Sequence, residues 1–368
     1  MTRFNRRALR QFFSDPERWV DLLFVFVPIA IILALVHASE TAIFITAALG
    51  IVPLAGVLGE ATDALAHRAG SRVGALLNAT FGNAAELIIT IAALRAGLIE
   101  VVKASITGSI IGNILLVLGL SLLAGGLKNG FQKFGRRSAS VSVTMMAIAV
   151  IGLGIPAVFS QAIEARNRFG IEYLSIGVAI ALMLGYILSL IFTFSIPHEQ
   201  TPSALVDDTE PEHIAWTMRR SLIVLGVSVA FIAVLSEILV GAIEPLVKQQ
   251  GLTELFVGII IVPIIGNAAE HLVAVEMALK NKMEISIGVA LGSSMQIALF
   301  VAPLLVFISL LFGHPMNLVF NPFELAALGA AVAIAALIAL DGESNWLEGA
   351  QLLIVYAILA LAFFYLPI

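Results

Sequence analysis

Cysteine is absent from the 368 residues, so the chain forms no disulfide, holds no metal through thiolate and carries no thiol nucleophile. That absence says nothing about redox compartment. Charge is scarce as well: Asp, Glu, Lys and Arg make up 12% of the sequence against 60% apolar residues, and the mean hydropathy is +1.03. Soluble domains average about 25% charged and about 45–50% apolar. Apolar runs of 18 or more residues also recur, which excludes a water-soluble fold of this size. The H-E-x-x-H helix of an intramembrane metalloprotease is missing: Glu270-His271 has the reverse order, with no second His to complete it. The net charge of −5 is small, and no nucleic-acid partner is expected.

What is present is a series of membrane spans. Apolar windows between charged or Gly/Pro-rich breaks predict eleven, at 19–37, 41–66, 72–94, 104–127, 138–159, 172–195, 221–247, 253–279, 285–312, 321–340 and 346–367. Basic residues precede the first, but its length exceeds the roughly 7–15-residue apolar core of a signal peptide, so a retained helix is expected. With the N-terminus inside, fifteen of the twenty Lys and Arg fall on the cytoplasmic side, among them Arg68, Arg72, Lys128, Lys133, Arg136, Arg137, Arg219, Arg220, Lys280 and Lys282. Arg95, Lys103, Arg166, Arg168 and Lys248 fall outside, as does the C-terminus. Short loops and a brief N-terminus point to a prokaryotic inner membrane, a vacuolar membrane being the eukaryotic alternative.

Within these spans one block is written twice. Gly82-Asn83-Ala84-Ala85-Glu86 recurs as Gly266-Asn267-Ala268-Ala269-Glu270, and Gly108-Ser109 recurs as Gly292-Ser293, both at an offset of 184 residues. Glu100 and Glu284 keep the same register. The copies lie in spans three and eight. An odd number of spans between them means that the second enters from the opposite side, so the halves are inverted repeats with a site expected near the midplane. The expected fold is therefore an all-α polytopic membrane protein of about eleven transmembrane helices, one extra N-terminal helix plus two inverted five-helix repeats. Residues 1–40 form the basic segment and first helix, 41–195 the first repeat, 196–218 an acidic linker and 219–368 the second repeat. The linker holds Asp207, Asp208, Glu210 and Glu212; it reads first as a solvated connection and second as a segment that gathers divalent cations.

The chemistry follows from the carboxylates. A charge in hydrocarbon costs roughly 2.5–3.5 kcal/mol on insertion scales, so Glu86 and Glu270 inside apolar spans mark a functional site. On a continuous helix Asn83 and Glu86 share a face, as do Asn267 and Glu270. Asn83, Asn267, Asn113 and Gln296 offer amide oxygens, and Ser109 and Ser293 offer hydroxyls. Such an oxygen set suits a hard cation like Ca2+, which takes about 6–8 ligands. Pro263 lacks an N–H and frees the carbonyl of Ile259, either as one more oxygen or as a plain kink. Without a cation the two carboxylates repel each other in low dielectric and bind protons, so Ca2+ and H+ compete for the same oxygens. Glu60 and Glu237 are placed for access routes to the two sides. His271 faces about 100° away from Glu270 and is expected to pack or hydrogen-bond rather than ligate. Glu276 is expected near the inner surface.

The duplicated pentapeptide, with Gly108-Ser109-Ile110-Ile111-Gly112-Asn113 and Gly292-Ser293-Ser294-Met295-Gln296, resembles the signature repeats of the calcium/proton exchangers, the cation exchanger branch of the calcium/cation antiporter superfamily. The resemblance covers essentially the whole chain. It implies an antiporter rather than an enzyme, with Ca2+ and H+ as transported ions, no cofactor, Glu86 and Glu270 as central carboxylates, and spans two and seven as moving gate helices. It leaves assembly with further copies open. One departure stands out: Asn113 lies four residues after Ser109, whereas Gln296 lies three after Ser293. The alternative is a sodium/calcium exchanger of the same superfamily, which characteristically carries a Pro before the motif Glu and further acidic ligands on the next helix; Ala85 and Ala269 stand there instead. A passive cation channel fits the inverted carboxylate pair less well.

Overall fold

The computed structural model describes residues 20–165, 167, 169–195 and 216–366. The acidic linker residues Asp207, Asp208, Glu210 and Glu212 lie outside them. Among the described residues eight helices are long and apolar enough to cross a bilayer, or up to nine when one bent pair is taken as a single span. The shorter apolar helix Val20–Leu35 and the broken pair Ser71–Phe81 and Ala84–Arg95 complete the predicted eleven. Among the described residues the regular structure is helical except for one antiparallel bridge, Gln132–Lys133 against Glu343–Ser344, which pins the loop before Arg136–Glu164 to the loop before Trp346–Tyr365.

In chain order, α1 (Phe26–Leu35) packs on α2 (Glu40–Ala69); α3 (Ser71–Phe81) and α4 (Ala84–Arg95) are the halves of the third span. Next comes α5 (Ile99–Ile111), which runs through a π-helical turn at Gly112–Val117 into α6 (Leu118–Asn129). After α7 (Arg136–Glu164) and α8 (Gly170–Ser195) the second half begins with α9 (Met218–Gly241) and α10 (Ile243–Gln250). It continues through α11 (Glu254–Phe256), a π turn at Val257–Ile261, α12 (Val262–Gly266) and α13 (Ala268–Leu279). Then α14 (Met283–Gln296) passes through a π turn at Ile297–Val301 into α15 (Ala302–Ser309), followed by α16 (Pro322–Ala339) and α17 (Trp346–Tyr365).

The centre is α5, whose residues Val101 to Ile111 are all buried. Gly108 lets the second half approach it closely, because a Cβ there would run into the carbonyl of Ile259. This is the carbonyl that Pro263 leaves without its helical N–H partner, and it rests on a neighbouring helix. On another face Lys103, 7% exposed, donates to Asn317 Oδ1 (2.9 Å) and the Val319 carbonyl (3.0 Å), while Thr107 donates to Glu324 Oε1 (2.7 Å). A buried ammonium is tolerable only when oxygens replace its water in this way. These bonds draw the connection between α15 and α16 into the bundle, where Met316, Leu318 and Phe320 are buried.

The helices give the molecule two end faces. One carries Arg68, Lys128, Lys133, Arg136, Arg219, Arg220, Lys280 and Lys282, and is called the basic face below; the other carries Arg95, Glu100, Lys103, Glu244 and Lys248. On the basic face Arg68 Nε donates to the carbonyl of Trp216 (2.9 Å), and the Arg220 guanidinium lies over the Trp216 ring.

Candidate cation site

The motif does not lie on a continuous helix. Asn83 (φ −100°, ψ 24°) ends the helical run between α3 and α4, and Asn267 (φ −100°, ψ 8°) does the same between α12 and α13, where the chain bends by 61°. The sequence expectation that Asn and Glu share a helical face is corrected accordingly, and the bend in the eighth span lies at Asn267 rather than at Pro263. The cause is visible in the side chains. Neither Asn caps its own helix, because both amides are committed across the site. Glu86 and Glu270 therefore sit in the first turns of α4 and α13, where free backbone N–H groups and the helix dipole favour negative charge.

Around them the two halves interlock. Asn267 Nδ2 and Ser109 Oγ both donate to Glu86 Oε1. Asn83 Nδ2 donates to Gln296 Oε1 (2.6 Å), Ser293 Oγ donates to Asn83 Oδ1 (2.8 Å), and Asn113 Nδ2 donates to Ser293 Oγ (3.1 Å). The structure thus brings together all eight expected ligands: Glu86, Glu270, Asn83, Asn267, Ser109, Ser293, Asn113 and Gln296. Glu270 follows three residues after Asn267, whose amide bonds Glu86, and so lies in the same cluster. Gly266 makes room for Glu86, since a Cβ there would stand 2.7 Å from Glu86 Cγ.

Three oxygens in this cluster are buried and accept no hydrogen bond: Glu86 Oε2, Glu270 Oε2 and Asn113 Oδ1. Buried oxygens without partners are costly, and these three belong to residues in the two motif half-helices and the π turn after Ile111. Among the described residues no group of three or more His, Asp or Glu is placed to hold a metal. The cluster is two carboxylates among neutral oxygens, the kind of donor set that suits a hard cation.

Other expected residues are placed differently. Glu60 is exposed on α2, toward the basic face. Glu237 is ion-paired to Arg95 (2.7 Å) rather than lining a route alone, and its position 184 residues earlier is Pro53, so it is not the repeat-mate of Glu60; Glu244 is. Glu244 pairs with Lys248 and Glu276 with Lys280, both at 2.6 Å. His271 is half-buried and its Nε2 has no hydrogen-bond partner, so it packs without bonding through that atom. The strict repeat-mate of Asn113 is Ile297, and on the 184-residue offset the π turns at Gly112–Val117 and Ile297–Val301 end together while the first begins one residue earlier. Neither the helix breaks nor these turns were read from the sequence. A Gly-Asn doublet inside each apolar run was the available signal.

Oxygen ligands between two broken helices, within a bundle of apolar spans, define a membrane transporter of ions. The chain belongs to the sodium/calcium exchanger protein family, whose sequence profile matches residues 39–195 and 220–365. It is 44% identical over 361 residues to a Ca2+/H+ antiporter of Aphanothece halophytica, covering 94% of this chain and 96% of that one. It is 43% identical over 343 residues to the Ca2+/H+ antiporter ChaA of Bacillus subtilis, covering 92% and 97%. The solved structure of native YfkE matches with a TM-score of 0.82 at 41% identity, covering 94% of this chain and all of that one.

Proposed function

We infer that the protein is a secondary antiporter that exchanges Ca2+ for H+ by alternating access. Glu86 and Glu270 hold either one divalent cation or protons. The observation that carries this reading is that Glu86 Oε2, Glu270 Oε2 and Asn113 Oδ1 are buried and unpartnered among residues tied into one hydrogen-bonded cluster. A Ca2+ ion fills all three; protons satisfy the carboxylates when it leaves. Ser109 and Asn267 orient Glu86 by donating to its other oxygen, and Asn83, Ser293 and Gln296 complete the oxygen shell.

Two carboxylates balance one Ca2+ or one to two protons without stranding charge in low dielectric. Several Na+ ions would need more anionic oxygen than these helices bring, which supports protons as the counter-ion. Other divalent cations of similar size compete at the same oxygens. The basic face is the cytoplasmic one on the distribution of Lys and Arg, with the N-terminus inside and the C-terminus outside a prokaryotic inner membrane.

Reconstituted protein is expected to take up Ca2+ against an imposed pH gradient in Na+-free choline medium and to release protons when Ca2+ binds at neutral pH. A strict Na+ requirement without proton release would replace this reading with sodium/calcium exchange.

A further inference from the structure

The repeats match at the site yet differ at one contact between it and the surface. Arg95 is the last residue of α4, the 12-residue half-helix whose first turn carries Glu86. Its guanidinium Nη1 lies 2.7 Å from Oε1 of Glu237, in the last turn of α9, which packs along α4. The corresponding contact at the other end is α2 against α13. There the residues at the same repeat positions are Pro53 and Leu279, so this ion pair has no counterpart at those positions.

The two ends also differ in how the chain encloses the site. On the Arg95 face Val257, Ile259, Val262 and Ile265 are buried against the core. On the basic face Val73 and Leu76 of α3 are 50% and 56% exposed, and Gly82 beside the site is exposed. The end that carries the ion pair is the end whose lead-in segment is the more buried.

We propose that Arg95 and Glu237 form a latch that holds α9 against α4 and closes the Arg95 face. The latch opens each time the site turns to that side, and it biases the resting population toward access from the basic face. The inference rests on alternating access as proposed above. Both side chains are more than 60% exposed, so water competes for them. An exposed pair shifts an equilibrium by roughly two- to fivefold. That is enough to set a preference and too little to stall the cycle. A ligand or bond shifts a two-state equilibrium only by its differential strength in the two states, and this pair is made in one of them.

The chain's lack of cysteine allows a direct test. Arg95→Cys and Glu237→Cys are combined and bridged with a cleavable bis-methanethiosulfonate reagent in proteoliposomes. Bridging is expected to stop Ca2+/H+ exchange, reduction to restore it, and each single-Cys protein to be indifferent to the reagent. Separately, Arg95→Gln and Glu237→Gln are each expected to shift the ratio of apparent Ca2+ affinities on the two membrane faces by about two- to fivefold, and the charge swap Arg95→Glu with Glu237→Arg to return it toward wild type. Full exchange by the bridged protein, or a swap no better than the single variants, overturns the latch. Wild-type protein without any Ca2+/H+ exchange would instead overturn the function on which the latch rests.

Discussion

Residues 71–81 and 254–266 occupy corresponding places in the two halves, each leading into a Gly-Asn-Ala-Ala-Glu motif, yet they are built differently. The first is a regular helix with exposed apolar residues. The second carries a π turn at Val257–Ile261, a proline at 263 and a buried face pressed onto Gly108. The same duplicated plan thus yields one lead-in that is loose and one that is packed. Symmetry of sequence sets the site, and local departures from it set which side of the site is enclosed. Pro263 corresponds to Ala79, a departure of a single residue, whereas Gly108 and Gly292 are the same residue in different surroundings.

The largest effect tests where the halves are alike. Glu86→Gln and Glu270→Gln are each expected to abolish pH-gradient-driven Ca2+ transport while the protein still inserts and folds, and the double variant to be no worse than either one. Near-normal exchange by one single variant would mean that the two carboxylates do not share an ion. Next comes the glycine pair. Gly108→Ala forces a methyl group onto the Ile259 carbonyl and is expected to cost about 1–3 kcal/mol of stability. Gly292→Ala meets nothing within 4 Å and is expected to stay within about 0.5 kcal/mol. Thermal unfolding in detergent separates the two outcomes, and equal losses would remove the asymmetry argued above.

Smaller differences follow. Asn113→Leu removes an unpartnered oxygen and is expected to weaken Ca2+ binding about tenfold, worth about 1.4 kcal/mol. Gln296→Leu removes an oxygen already satisfied by Asn83 and is expected to weaken binding less, which calcium titration of purified protein resolves. The smallest effect belongs to the linker. Neutralising Asp207, Asp208, Glu210 and Glu212 is expected to leave maximal transport intact and to weaken apparent Ca2+ affinity from the linker side only at low salt, since such gathering is screened beyond about 8–10 Å at physiological ionic strength. No change at low salt would leave the segment a connection alone.

Much of this was legible in the residues. Carboxylates inside apolar runs are conspicuous because membrane spans exclude them, and the 184-residue offset tied Glu86 to Glu270 and Ser109 to Ser293 before any geometry was known. The multi-span, all-helical plan was legible for a similar reason, since hydrophobic length is a property of each segment alone. The helix breaks were not legible. Asn83 and Asn267 leave helical geometry because their amides bond partners more than 180 residues away, and periodicity within a segment carries no trace of such a partner. Glu237 shows the same limit: its apolar surroundings suggested a route residue, while Arg95, 142 residues distant, makes it half of an ion pair.

One feature of the site bears on how such a chain can change over generations. Of the five hydrogen bonds that organise it, only Ser109 to Glu86 stays within one half; the other four join residues of the first half to residues of the second. Each copy of the duplication is therefore the selective environment of the other. A substitution at Asn83 is judged by Gln296 and Ser293, and one at Asn267 by Glu86. The outer helices are free to diverge at the pace that lipid contact allows, but the motif residues can only move in concert. The two halves are held to a short interlocked set whose partners lie in the other half.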